Sequence, residues 1–133
     1  MAAPNIVNVT TITGVTTFHA GIAATTGGKG ALGITTVVSN AASSGKVLKI
    51  NSLVAAGLGA TTGVTLQYFN HANHASAAST VSIGMTLSVP NFSTLAIITK
   101  DNSVYLEENT SLGIFAEPAA GTIDVVCSFE EIS

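Results

Sequence analysis

The chain has no arginine and no tryptophan, and only four lysines in 133 residues. Phosphate contacts need clustered Lys or Arg, so a net charge of −3 with no basic run argues against nucleic-acid binding. Charged residues make up 8% of the chain, where about 25% is usual for a globular domain. A single cysteine rules out an internal disulfide. Long apolar runs are missing too. Leu53–Ala60 is the longest, and it contains two glycines; a bilayer span needs about 20 residues. Around Pro4 and Asn5 no Lys or Arg precedes an apolar segment, so no secretory signal is expected.

What is present is uncharged and suited to strands. The polar positions are filled by 18 Thr and 13 Ser, and 47% of the residues are apolar. Thr fits a pleated surface, and both hydroxyls form hydrogen bonds without charge. A chain of this length is expected to make one domain with its own core. So little surface charge gives weak electrostatic protection against association. Either partner subunits cover much of the surface, or this is a Thr-rich soluble β-protein.

The stretch from Thr94 to Ser133 is the most legible. Apolar runs at Thr94–Lys100, Ser103–Glu108, Ser111–Glu117 and Thr122–Glu131 are separated by Asp-Asn, Asn-Thr and Pro/Gly turn chemistry. In the last run Ile123, Val125, Cys127 and Phe129 point one way, and Thr122, Asp124, Val126, Ser128 and Glu130 the other. That period of two marks a half-buried strand. Earlier strands are expected at Ile34–Ser39, Lys46–Ala56, Val64–Phe69 and Thr80–Val89. In Lys46–Ala56, Leu48, Ile50 and Val54 form one face. In Thr80–Val89, Val81, Ile83, Met85, Leu87 and Val89 are expected to face the core. Residues 19–33, with five glycines, read as a surface loop, and Asn70–Ser79 as a polar connection with room for a helical turn. Residues 1–18 read either as a first strand or as an extended arm that pairs with a neighbouring subunit, with Asn5, Ile6, Val7, Val9 and Ile12 as its assembly residues. About eight strands beyond that run predict an all-β antiparallel sandwich, jelly-roll-like, over residues 19–133.

Reactive constellations are weak throughout. His71 and His74 lack a third metal ligand nearby. Thr26–Gly30 (TGGKG) fails the phosphate-loop pattern, because Gly30 stands where Ser or Thr should bind magnesium. Glu107-Glu108 and Glu130-Glu131 are adjacent carboxylates that a strand sends to opposite faces, so neither forms a glycosidase dyad. The second doublet is expected to blunt a terminal edge strand. Lys100-Asp101 reads as a turn ion pair of little energetic weight, and Cys127 as a small core hydrophobe. No catalytic residue, cofactor or metal is expected.

Several blocks resemble a known group. They are the opening MAAPNIVNVTTITG, the run from Ala42 through SSGKVLKINSL, the segment from Leu95 through Leu112, and the terminal DVVCSFEEIS. Together they resemble small virion structural proteins of tailed phages of marine bacteria, including cyanophages. The resemblance is weaker in Thr16–Gly33 and Asn70–Ser79. It implies a non-enzymatic capsid decoration, or cement, protein on the outer head. Such a protein is made in the host cytoplasm, assembles as a homotrimer, and bridges capsomers through the major capsid protein. Two other roles stay open: a neck, tail or fibre-associated subunit, and a carbohydrate-binding module. For the latter only Tyr68 and Tyr105 offer a ring to a sugar.

Overall fold

The computed structural model describes residues 8–23, 33–59, 62–116 and 121–133. Among these the chain forms nine strands: β1 (Ile12–Ala23), β2 (Thr35–Asn40), β3 (Val47–Leu58), β4 (Thr62–Phe69), β5 (Thr80–Val89), β6 (Thr94–Ile98), β7 (Val104–Leu106), β8 (Thr110–Ala116) and β9 (Thr122–Ile132). They make two antiparallel sheets packed face to face. The front sheet has the order β1-β9-β3-β6, with β7 also on β3; the back sheet has the order β2-β8-β4-β5. The expected β-sandwich is therefore the fold. β1 pairs with β9 from Ile12 to Ala23, across the expected boundary between residues 18 and 19. Residues 19–23, expected as loop, belong to that strand, and 24–32 lie outside the described residues.

The core lies between the sheets. β9 turns Ile123, Val125 and Cys127 into it, all fully buried, as its alternation predicts. Leu66 of β4 and Leu112 and Ile114 of β8 meet them from the back sheet. β3 departs from strict alternation. Its register against β9 shifts between Ile50 and Ser52, leaving Asn51 as an extra residue. Beyond that bulge Leu53 and Ala55 are buried, and Val54 turns to the outer face. The face expected for Val54 is thus corrected.

β5 departs further. Its pairing with β4 slips twice, between Leu66 and Gln67 and between Val64 and Leu66, and both times the extra residue is on β5. Thr86 adopts φ 48° and donates its N–H to Thr65 Oγ1 at 3.0 Å. As a result Ile83 and Met85 are exposed, not buried; Val81 lies opposite core-packed Tyr68 but is exposed too, because β5 borders the sheet. Leu87 and Val89 lie on the core side as expected, and Gly84, expected to face out, joins them; a Cβ on Gly84 would meet Leu87 and, across the sandwich, Ile97.

The outer strands share this device. β1, β2 and β6 each carry an extra residue where they pair inward, at Ala20-Gly21, Val37 and Ile97. Bulges twist an edge away from further pairing, as charges do in other sheets. This chain has few charges to spend on its edges.

The back sheet's outer face is closed by its own chain. Ile34, Phe69 and Phe115 bury one another there, with Ala77 packed against them. The connection between β4 and β5 is tied across this face. Ser111 Oγ donates to the His71 carbonyl and Ser39 Oγ to the Ala72 carbonyl, both at 2.8 Å. The Ala72 N–H donates to Asn109 Oδ1 at 3.1 Å. A single 3-10 turn at His74–Ser76 fills the place where a helical turn was expected.

Candidate functional surface

The front sheet's outer face has no such cover among the described residues. Strand register arranges it in rows. One row runs Tyr105, Lys49, Glu130, Gly14 across β7, β3, β9 and β1. The next runs Ser52, Ser128, Thr16, with the Thr16 and Ser128 hydroxyls 3.0 Å apart. The third runs Ala96, Val54, Val126, Phe18. Phe18 is 75% exposed and Val126 40%, a rare display for an aromatic and a valine side by side on a sheet. Past them Asp124 takes up the Gly21 N–H at 2.7 Å. The middle of this face therefore holds only apolar side chains and hydroxyls.

Two smaller apolar features lie elsewhere: the bulged edge of β5, and Phe92 at the tip of the β5–β6 turn, 80% exposed. From Ile50 to Thr99 the chain has no Asp, Glu, Lys or Arg. β4, β5 and β6 thus offer neighbours no formal charge.

The reactive candidates are dispersed. His71 Nδ1 accepts the Asn73 N–H at 3.0 Å, while His74 Nδ1 pairs with Thr36 Oγ1 at 3.1 Å and its ring leans on Phe69. Each histidine helps hold the connection over the back sheet. Among the described residues no three of His, Cys, Asp and Glu gather closely enough to hold a metal ion. The TGGKG segment lies outside the described residues. Glu108 accepts the Gly45 N–H at 2.8 Å, and Glu131 pairs with Lys46 at 2.8 Å. The Glu130-Glu131 doublet was expected to blunt an edge, but β9 lies between β1 and β3. Its carboxylates serve a central strand. Nor do Lys100 and Asp101 pair with each other; Asn102 Oδ1 builds that turn by accepting from the Thr99 N–H and hydroxyl. Tyr68 packs against the core, which leaves Tyr105 as the exposed tyrosine.

Burial pushes the Cys127 thiol up to about 12, so it stays protonated and unreactive at neutral pH. An open cleft of about 520 Å³ lies beside His19, Gly21, Ile22, Gly33 and Thr35. His19 Nε2 stands 3.5 Å from the Val37 carbonyl there, with no Ser, Cys or carboxylate among the described lining residues.

Of the expected assembly residues, Asn5, Ile6 and Val7 lie outside the described residues. Val9 is half-buried just before β1, and Ile12 opens β1 with 61% exposure. The chain from Thr10 is bound to its own C-terminus: the Thr10 and Thr11 N–H groups both donate to the Ser133 carbonyl. Phe18 and Val126, the most exposed apolar pair of the front face, were not singled out by sequence reasoning. The signal was Val126, the one apolar residue in the outward series Thr122, Asp124, Ser128 and Glu130. Neither a protein-family model nor a curated protein sequence matches the chain.

Proposed function

We propose that this chain is a non-enzymatic structural subunit of a phage virion, a capsid decoration protein that binds the outer head and bridges capsomers. The observation that carries this reading is the front face: a broad sheet surface, uncovered among the described residues, apolar and hydroxyl-rich at its centre, on a sandwich whose other face is closed by its own chain. Such a surface suits burial against a flat neighbour, where apolar area and backbone shape supply the adhesion. Burying it needs no chemical step. The major capsid protein and further copies of the chain are the partners this reading requires.

The connectivity supports the finer assignment of a jelly roll. β1 pairs with β9, β2 with β8, β3 with β6 and β4 with β5. The chain thus follows a long hairpin rolled up on itself, and the β3–β9 and β4–β8 pairings close the two sheets. Jelly rolls are frequent in capsid proteins and lectins. The lectin alternative is weakened by the core packing of Tyr68. Quantitative mass spectrometry of purified particles tests the proposal. A decoration protein is present in hundreds of copies per head, a neck or tail subunit in about three to twelve, as ring symmetry dictates. Absence from particles refutes the virion reading.

A further inference from the structure

We propose that two copies of this chain pack front face to front face, about a two-fold axis that runs along the strands between β3 and β9. Such an axis exchanges β3 with β9 and β1 with β6 and β7, and it lays every row over itself. Phe18 then lies over the partner's Ala96, and Val126 over the partner's Val54. Tyr105 lies over the partner's Gly14, above which a Cβ would find nothing within 4 Å. Large side chains meet small ones in both rows, although the large residue is on β1 in one and on β7 in the other. Charge follows the same rule. Lys49 faces the partner's Glu130 and Glu130 the partner's Lys49, so opposite signs meet twice and like signs never. The hydroxyl row places Ser52 over the partner's Ser128.

The size is sufficient. Strands about 4.8 Å apart and same-face residues about 6.8 Å apart give four strands and the five rows through Glu130, Ser128, Val126, Asp124 and Thr122 of β9 a face of about 650 Å². Counted on both copies this is about 1,300 Å², within the range of stable interfaces though near its lower end. Aligned sheets pack at about 30° because of their twist, so the match is closest at the central valines and serines. This face is two-fold self-complementary and favours a dimer over the trimer implied by the resemblance. The inference rests on the face alone and not on the virion reading; in the dimer a second copy is the flat neighbour that covers this face, and contact with the capsid falls to the rest of the surface.

Sedimentation velocity of the full chain over a wide concentration range tests it. The expected result is a monomer–dimer equilibrium. Phe18→Lys weakens it at least about tenfold, as loss of a large interface aromatic does, and leaves the unfolding midpoint unchanged at concentrations where both proteins are monomeric, because Phe18 is exposed in the monomer. Lys49→Glu and Glu130→Lys each abolish self-association, since each sets like charges face to face. Mixed in equal amounts, the two variants restore a dimer, because the introduced glutamate then faces the introduced lysine. Each chain keeps its own like-charged neighbours in that mixture, so recovery reports the contact between copies. A monomer at every concentration overturns the proposal. So does a dimer indifferent to Phe18→Lys, or a mixture that stays monomeric. A monomer still found in particles refutes the dimer and leaves the virion reading intact.

Discussion

Raising the pH should destabilise this fold through one atom, the Sγ of Cys127. The thiol is fully buried between the sheets on β9, and desolvation raises its pKa from 9.0 to about 12. In the unfolded chain it ionises near 9; in the folded chain it holds its proton. Between those values the native state binds more protons than the unfolded state, so stability falls as pH rises. The contribution is complete below pH 9 and is lost on the way to 12. Each pH unit inside the window costs about 1.4 kcal/mol. At pH 10.5 the loss from this group is about 2 kcal/mol, and above the window it approaches about 4 kcal/mol. Other groups titrate there too, so the assay is a difference: urea unfolding of the wild type and of Cys127→Ala at steps from pH 7 to 10.5. The variant starts lower because it leaves a small void, but its stability should decline less steeply by the amount given. Parallel pH profiles would refute the argument and place the thiol in contact with water or a cation.

Four further outcomes follow from the packing. Gly113→Ala should cost about 1–3 kcal/mol, because the new Cβ would lie 2.6 Å from Ile34 and 2.8 Å from Phe69. Gly14→Ala, in open space, should cost nothing in chemical denaturation of the monomer. Asn40 is buried and donates to the Lys46 and Leu106 carbonyls at 2.9 and 3.1 Å. Asn40→Asp removes both donors and should cost about 3 kcal/mol, measured the same way. Lys46→Ala should change stability by less than about 0.5 kcal/mol, since the Lys46–Glu131 pair is partly solvated, and that small effect should vanish in high salt.

Strand positions were readable because alternation and turn residues are local signals. β9 shows this best, with no bulge on its own side of either ladder. The faces of β5 and β3 were only partly readable, because an extra residue reverses the side chains beyond it until a second restores them, and leaves no mark in the pattern. Ile83 and Met85 alternate as core residues do, yet the bulges opposite Leu66 and Thr65 put them outside, while Leu87 and Val89, past both, keep the side their alternation predicts. The second half of β1 was hidden by its small residues; pairing with β9 overrides their weak strand propensity. Asn70–Ser79 was legible as a connection, but its closure of the back sheet depends on Ser39, Asn109 and Ser111, all distant in sequence. The front face was half legible: low charge left open either a surface covered by partners or a Thr-rich soluble protein, while the row that joins Phe18 to Val126 needs the register of three strands.

The extra residues on the outer strands have a consequence for crowding. A protein with so few ionic groups has little to keep its molecules apart, and regular borders would invite them to zip into cross-β fibres. Here each irregular border interrupts the backbone template such growth would copy. Adhesion is left to side chains on the flat of the sandwich, which join molecules in finite pairs and not in endless ribbons.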